Sequence, residues 1–438
     1  MNAHRKQVVS LAQPVYFSLL ASVAAGIINT VWVSRLGGPA VAAVAVATNT
    51  ENVLLGVALV FGSGTTVLVA QARGAGDAGA VRAAVRGGWA VWALLTPAVV
   101  VGGFLLREPL ARLVLDGGAA QPLAVDYLAI ALPGTAVFFA QQLVDGILKG
   151  AGDTRTPMRL ALLANGLILV CDPFLIQAHG VQGAAASTVL CRSLALGVGL
   201  VALRRNRLLR AAAGARPARS LAGAAWRTLR TGLPMSADFT VRQAGALVLV
   251  AIVARLGVTA VAAYAIAYKV MYVATMGFYA VRQAAAIHTA HLFGAGRDAR
   301  GAIGRQAVLV AGVFALAAAV LLGVTAPWLM AAFGAGPDVV HAGVLFLRCV
   351  GPYLLLMACF IALGGVFEGS GGAPVLLRVT VLGTAVQLPL AYGLSGLGLP
   401  GVCLALAVAM GVQCAGALLL LRRARRQEGS DVSLARVA

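Results

Sequence analysis

Acidic side chains inside long apolar segments are the residues of this sequence that are best suited to chemistry. Such residues are Glu51, Asp145, Asp172, Asp238 and, at the end of a segment, Glu368. A carboxyl group in surroundings of low dielectric constant favours its neutral form, so it can accept a proton on one side of a membrane and release it on the other. Ionisable groups inside a membrane are costly and usually functional. The pattern therefore predicts ion carriers or the polar wall of a cavity.

Residue clusters that other chemistries require do not occur. The glycine-rich segments contain no Gly-Lys-Ser/Thr phosphate loop, which argues against direct ATP drive. His288 and His291 are three residues apart, but no nearby carboxylate or cysteine completes a metal ligand set. The six cysteines show no Cys-x-x-Cys spacing, and we interpret them as small free hydrophobic residues. Without a clustered nucleophile, base or metal site, we expect no enzyme and no cofactor beyond a transported ion.

The composition indicates which elements must position these acids. Of 438 residues, 60% are hydrophobic and 11% are charged, whereas a soluble globular chain carries roughly 25% charged residues. So few charges cannot solvate a water-facing surface, which excludes a cytosolic enzyme and a disordered protein. The net charge of +20 lies in short clusters between apolar runs, which favours membrane loops over a nucleic-acid partner.

Apolar runs between charge clusters predict an all-α integral membrane protein, because a transmembrane helix needs about 20 mostly apolar residues. Most of the 34 basic residues fall on one set of alternating loops, which predicts that both termini are cytoplasmic. The predicted spans are twelve in number: 8–33, 40–70, 84–106, 122–148, 158–178, 181–203, 227–254, 260–290, 303–330, 340–367, 374–394 and 400–421.

The two halves of the chain repeat each other at an offset of 220 residues. The offset aligns Pro14 with Pro234, Arg35-Leu36-Gly37 with Arg255-Leu256-Gly257, and Gly74-Ala75-Gly76 with Gly294-Ala295-Gly296. Six spans per half make the copies parallel repeats, an architecture that favours alternating access between two lobes. We predict a V-shaped fold with an N-terminal lobe (1–203), a basic cytoplasmic linker (204–226), a C-terminal lobe (227–421) and a basic cytoplasmic tail (422–438).

Several motifs together resemble the multidrug and toxic compound extrusion (MATE) family of secondary transporters. They are Arg35-Leu36-Gly37 with Gly74-Ala75-Gly76-Asp77, Gly150-Ala151-Gly152-Asp153-Thr154-Arg155-Thr156-Pro157, Asp172-Pro173 with Gly183-Ala184-Ala185, and Gly232-Leu233-Pro234. The resemblance implies an antiporter of the cell membrane in which proton or sodium entry drives export of organic, often cationic, amphipathic compounds. We expect a small-molecule substrate, the lipid bilayer as surroundings, no nucleic acid, and a monomer.

The resemblance assigns ion coupling to the first half of the chain. One subgroup of the family uses an aspartate at the position of Asp172 with another on helix 1, where this chain has Asn29. Asn29 carries no proton but can hydrogen-bond a protonated Asp172. Asn165 on the same helix as Asp172, and Glu51 as a substitute for the missing acid, are further candidates. An alternative is that Arg192 pairs with Asp172 and fixes its charge.

Candidates for a substrate cavity lie mainly in the second half. Asp238, Lys269, Tyr268 and Tyr272 could line a wall for amphipathic cations. Glu51 could also contribute to such a wall or form a salt bridge with the other lobe. Another subgroup of the family carries a glutamate where this chain has Arg242, and Asp238 and Arg242 are four residues apart on one helix face. We therefore predict a mainly structural role for Arg242, and likewise for Arg192 if it pairs.

A second functional hypothesis is a lipid-linked saccharide flippase of the same broad superfamily. A flippase would favour an arginine-rich cavity and often has extra helices. The chain stops at twelve predicted spans, and its Gly-Asp-Thr-Arg-Thr-Pro loop favours the exporter.

Overall fold

Helices make up nearly all of the chain in a computed structural model, which describes residues 3–115, 118–333 and 336–437. Long helices suit an apolar chain because, in a membrane core, every backbone amide and carbonyl must bond within the protein. In chain order they are α1 (Ala3–Ser34), α2 (Gly38–Gly74), α3 (Ala78–Leu105), α4 (Arg107–Leu115), α5 (Ala120–Gly150), α6 (Arg155–Arg205), α7 (Arg207–Gly214), α8 (Leu221–Ala254), α9 (Val258–Gly294), α10 (Arg300–Ala332), α11 (Pro337–Cys349), α12 (Gly351–Gly369), α13 (Ala373–Leu394) and α14 (Gly398–Val437).

Within the described ranges, ten stretches are long and apolar enough to cross a membrane. Two of these stretches are broken. Helix α6 is interrupted at Gly180, whose φ of 57° and ψ of −132° are not helical. The stretch Ala373–Arg422 contains the single 3-10 turn Ser395–Leu397. Counted as separate arms, these stretches give twelve spanning segments, and the predicted all-α membrane fold is confirmed.

One predicted span has a different form in the structure. The sequence predicts a continuous helix over 340–367, whereas the chain ends α11 at Cys349 and begins α12 at Gly351. Pro352 lies in the first turn of α12. Because proline has no backbone N–H and its ring clashes with the preceding turn, a new helix begins there.

The described chain divides into two compact units. The N unit is Phe17–Ser236, and the C unit combines Met1–Tyr16 with Ala237–Ala438. The divisions follow Tyr16 in α1 and Ser236 in α8, which are equivalent positions at the repeat offset. Each unit therefore contains most of one repeat and the opening half of the first helix of the other repeat.

The central helix crossing is built alike in the two units. In the N unit α2 packs most extensively on α5, and a Cβ added to Gly146 would overlap the carbonyl oxygen of Gly62. In the C unit α9 packs on α12, and a Cβ added to Gly365 would overlap the carbonyl oxygen of Arg282. Small residues of this kind let helix backbones approach closely in membranes.

Backbone turns also repeat between the units. A positive φ is a conformation that glycine adopts without steric cost. Positive values occur at four equivalent pairs: Gly37 and Gly257 (99° and 104°), Gly76 and Gly296 (66° and 70°), Gly152 and Gly371 (89° and 82°), and Gly180 and Gly398 (57° and 71°). The internal repeat predicted from sequence is thus present in the backbone.

The segment predicted as a linker, 204–226, is largely helical and lies in the N unit. It contains α7, whose first turn is capped by the Asn206 side chain accepting from the amides of Leu208 and Leu209. Both leucines pack against the apolar cores of this unit. The backbone amide of Ala218 donates to the carbonyl of Gly79 at 3.2 Å. The predicted tail 422–438 continues α14 as far as Val437, and its last residue lies outside the described residues.

Candidate ion-coupling and substrate-binding sites

Asp172 and Asn29 form the candidate coupling site of the N unit. Asp172 lies on the first arm of α6 and is fully buried. Its Oδ2 accepts a hydrogen bond from the Asn29 side-chain amide on α1 at 2.8 Å. Its Oδ1 is buried and has no hydrogen-bond partner among the described residues. The contact expected between these two residues is present, and it leaves one carboxyl oxygen unused.

Asn165 lies between the same two helices but does not contact the carboxyl group of Asp172. Its amide nitrogen lies 3.4 Å from the hydroxyl oxygen of Ser22 on α1, a long hydrogen bond. Asn165 is half-buried and Ser22 is exposed. A polar contact on the α1–α6 interface is therefore what the structure gives this candidate, and its role in coupling remains a prediction.

The ion pair considered between Asp172 and Arg192 does not form in the described chain. Arg192, on the second arm of α6, has its guanidinium 3.8 Å from the carboxylate of Glu51 on α2. About a third of each of these two side chains is exposed. Removing two charges from water is expensive, so a guanidinium that stays in a partly hydrated cleft is favoured over one buried beside Asp172.

Glu51 and Arg192 lie in an open cleft of the N unit with about 370 Å³ of empty space, its mouth included. Residues of α2, α5 and α6 line it: Glu51, Leu54, Tyr127, Ala131, Gly134, Thr135, Phe138, Ala185, Thr188, Val189 and Arg192. The guanidinium of Arg192 lies 5.1 Å from the ring centroid of Phe138. Tyr127 interacts electrostatically with Glu51, Arg192 and Asp172, so the cleft is electrostatically linked to the coupling site.

The C unit contains a buried charge cluster made of Asp238, Arg242, Arg282, Glu368 and Thr380. Oδ2 of Asp238 lies 2.6 Å from Arg242 Nη2 and 2.9 Å from Arg282 Nη2. Its Oδ1 accepts from the Thr380 hydroxyl at 2.5 Å. Arg282 Nη2 also lies 2.7 Å from Glu368 Oε1. Two carboxylates and two guanidinium groups balance each other, which is how buried charges are tolerated.

Sequence reasoning found part of this cluster. The Asp238–Arg242 contact has the predicted spacing of four residues, but Arg282 and Thr380 were not singled out, and Glu368 had no assigned partner. A signal for Arg282 was available. It is an arginine within a predicted span, and such a residue usually has an acidic partner nearby. The partner comes from α12, which is 86 residues further along the chain.

The predicted substrate-cavity residues of the C unit separate into a buried acid and an exposed face. Asp238 is 1% exposed, so a cationic compound would have to displace a guanidinium group to reach it. Tyr268, Lys269 and Tyr272 on α9 are exposed. The ring of Tyr268 stacks on that of the buried Tyr264 at a centroid distance of 5.9 Å. These exposed residues can line a surface, and their role toward a substrate stays a prediction.

Histidines near one end of α9 make a contact across the C unit. Nδ1 of His4 lies 3.0 Å from Nε2 of His288, a hydrogen bond between two rings. No group of three or more His, Cys, Asp or Glu residues within the described residues is arranged to hold a metal ion. The pair therefore connects α1 to α9 inside the C unit.

Solved structures share this fold. The chain superimposes with a TM-score of 0.88 on a multidrug resistance MATE family transporter of the MOP superfamily in its outward-facing conformation, at 23% identity over 96% of each chain. The repeated helical fold and the buried charges define a multi-pass membrane transporter of small molecules. The sequence model of the MatE family matches residues 14–174 and 234–393. The chain belongs to the MatE family, whose members are transporters and not enzymes.

Curated relatives agree with that assignment. The chain is 24% identical over 408 residues to a probable multidrug resistance protein NorM of Thermotoga maritima, across 89% of this chain and 85% of that protein. It is 28% identical over 207 residues to a probable multidrug resistance protein YpnP of Bacillus subtilis, across 47% of this chain and 46% of that protein.

Proposed function

We propose that this MatE-family transporter is a secondary antiporter that exports small organic compounds in exchange for protons. Cationic or amphipathic compounds are the proposed cargo, moved by alternating access between the two repeats. Relatives described as multidrug resistance proteins support this class of cargo. The clustering of arginines on alternate loops supports an orientation with both termini in the cytoplasm of a plasma-membrane protein. We propose that the chain acts as a monomer.

The environment of Asp172 is the observation that carries the proposal. Its carboxyl group is buried, one oxygen accepts from a neutral amide, and the other oxygen has no partner in the described part of the chain. A carboxyl group without a basic partner can gain and lose a proton without breaking an ion pair. An intramembrane acid in such surroundings is a functional residue by default.

The C unit offers a contrast that supports placing coupling in the N unit. Asp238 is held by two guanidinium groups and a hydroxyl group. Its charge is balanced by groups that never leave the protein, because arginine does not deprotonate in proteins. An exchangeable cation would have to displace one of these groups. The N-unit site needs no such displacement.

The chemistry of the ligands favours the proton over sodium as the coupling ion. Hard metal cations bind several oxygen ligands. In this site Asn29 presents its amide nitrogen to the carboxylate, and its oxygen points elsewhere. A carboxyl group with a single amide donor can hold a proton, whereas it offers sodium few ligands.

Efflux from everted membrane vesicles tests the proposal. We expect a panel of cationic dyes and antibiotics to include compounds whose transport stops when an ionophore collapses the proton gradient and continues when the sodium gradient alone is collapsed. Asp172→Asn should abolish the driven transport. Asp126→Asn is the matched control, because Asp126 is an exposed acid of the same unit, and it should transport normally.

Two results would contradict the proposal. Driven export that survives intact in Asp172→Asn would remove Asp172 from coupling. Transport that follows the sodium gradient would replace the proton as the coupling ion. Absence of efflux for every compound under either gradient would overturn the function itself.

A further inference from the structure

The ion pair in the N-unit cleft is loosely made. Nη1 of Arg192 and Oε2 of Glu51 are 3.8 Å apart, and their side chains are 29% and 34% exposed. Charge-assisted hydrogen bonds measure about 2.7–2.9 Å, and the contact between Arg242 and Asp238 measures 2.6 Å. A partly exposed pair at long range contributes little to stability. The two side chains can therefore separate at small cost.

The walls around the pair suit an aromatic molecule. Leu54, Ala131 and Val189 supply apolar surface, and Phe138 presents its ring 5.1 Å from the guanidinium carbon of Arg192. Apolar walls with a few placed polar groups are the usual composition of a small-molecule site. Within this cleft the charged groups are one acid and one base, side by side.

Arg192 acts in this arrangement as a built-in competitor for cations at Glu51. A cationic compound that binds Glu51 must displace the guanidinium and leave Arg192 without a counter-ion. An anionic compound that binds Arg192 leaves Glu51 in the same position. A compound with both charges gives each side chain a new partner, so neither is left unpaired.

We propose that the Glu51–Arg192 cleft selects zwitterionic aromatic compounds, which carry one positive and one negative group on an aromatic body. This inference rests on the proposed export function and names the class of cargo that the cleft prefers. The positive group binds Glu51, the negative group binds Arg192, and the aromatic body packs on Phe138 and the aliphatic wall. The preference over a cation of the same shape is about tenfold or more, because a hydrogen bond to a charged group is lost when the acid of the ligand is blocked.

Binding to the purified protein in detergent tests the selectivity directly. Rhodamine B is a zwitterion at neutral pH, and its ethyl ester is a cation with the same ring system. Fluorescence anisotropy gives the dissociation constant of each dye without requiring transport. The wild-type protein should bind rhodamine B about tenfold more tightly than the ester.

Three variants identify the residues responsible. Arg192→Gln should lose the preference by weakening rhodamine B binding and strengthening ester binding. Glu51→Gln should weaken binding of both dyes. Exchanging the two charges, with Glu51→Arg and Arg192→Glu in one protein, should retain the preference for the zwitterion because both partners are still present. Arg207→Gln, an exposed arginine of the same unit, is the control and should bind both dyes as wild type does.

The outcomes separate this inference from the export function. Equal affinity for the two dyes, no binding of rhodamine B, or a preference that persists in Arg192→Gln would overturn the zwitterion selectivity. Tight, selective binding of rhodamine B without gradient-driven movement in vesicles would support the selectivity and overturn export by antiport. A thermal unfolding midpoint close to that of wild type verifies that the charge-exchanged variant is folded.

Discussion

At the scale of single residues, the two units neutralise their buried carboxylates in different ways. Asp238 is bonded to two arginines and a threonine, while Asp172 is bonded to one asparagine. The first arrangement fixes a charge, and the second leaves an acid able to change its protonation state. The different partners explain why acids at similar cost in a membrane can serve structure in one unit and coupling in the other.

Asn29→Ala tests the donor to Asp172. The variant removes the only hydrogen bond that the structure gives to this carboxyl group within the described residues, and a hydrogen bond to a charged group contributes about 1.5–3 kcal/mol. We expect proton-driven transport to fall roughly tenfold. Thr30→Ala is the control, since the Thr30 hydroxyl bonds to a carbonyl of its own helix. Unchanged transport rates in Asn29→Ala would show that the amide does not contribute.

Arg282→Met tests the charge cluster. The variant leaves Glu368 without its guanidinium and Asp238 with one fewer, and breaking a buried pair on one side costs about 3–5 kcal/mol. We expect a clearly lower thermal midpoint in detergent. Adding Glu368→Gln to the variant should recover part of the loss, because the unpaired acid is then neutral.

Arg305→Met on α10, an exposed arginine of the same unit, is the control for that experiment. Its thermal midpoint should stay near that of wild type. A single variant Arg282→Met as stable as this control, or a double variant less stable than Arg282→Met, would contradict a balanced cluster.

Contacts between residues distant in sequence limited what could be predicted at this scale. The Asn29–Asp172 bond was predictable because the family resemblance names both positions. The pairing of Glu51 with Arg192, and of Glu368 with Arg282, depends on how three helices face one another. Spacing along a single helix gives no information on those rotations.

At the scale of helices, close crossings rest on glycine. Gly365 on α12 lies against the backbone of α9 at Arg282, and Gly146 on α5 lies against α2 at Gly62. These positions coincide in the repeat. The crossing on α9 also carries the arginine of the charge cluster, so packing and electrostatics meet at one place.

Gly365→Ala tests the crossing. The added methyl group would overlap the carbonyl oxygen of Arg282, and overpacking of this kind costs about 1–3 kcal/mol. We expect a lower thermal midpoint and reduced transport. Gly312→Ala on α10 has open space at the corresponding atom and should be neutral or gain up to about 1 kcal/mol. Equal stability of the two variants would refute a tight crossing.

Helix positions were largely predictable, and helix interruptions were less so. Long apolar runs separated by Arg and Gly clusters locate the spans because their composition differs from that of the loops. The short helices α4 and α7 and the division between α11 and α12 were not predicted. Their signals are single residues, such as Asn206 before α7 and Pro352 in α12, which apolar averaging over a window conceals.

At the scale of the whole molecule, the duplicated backbone carries charges that are not duplicated. Members of the charge cluster of the C unit correspond at the repeat offset to uncharged residues of the N unit or to a base. Asp238, Arg242 and Arg282 align with Ser18, Ser22 and Gly62, and Glu368 aligns with Lys149. One architecture therefore supports a fixed cluster in one unit and a coupling site in the other.

Cysteine accessibility tests the proposed orientation. In a variant without the six native cysteines, Ser220→Cys between α7 and α8 should react with a membrane-impermeant maleimide only in everted vesicles. Ala119→Cys before α5 should react only in intact cells. Both positions are exposed in the structure. Labelling of the two positions from the same side would contradict the twelve-span topology, and reversed labelling would contradict cytoplasmic termini.

Exchange of a proton for cargo at Asp172 is the central claim, and proton release on binding measures it most directly. Purified protein in weakly buffered detergent solution receives rhodamine B or its ethyl ester, whichever the vesicles transport, and a pH-sensitive dye reports protons. We predict that wild-type protein releases a proton as the compound binds and that Asp172→Asn binds the compound without release. Binding without release in the wild type, or equal release in Asp172→Asn, would contradict the claim.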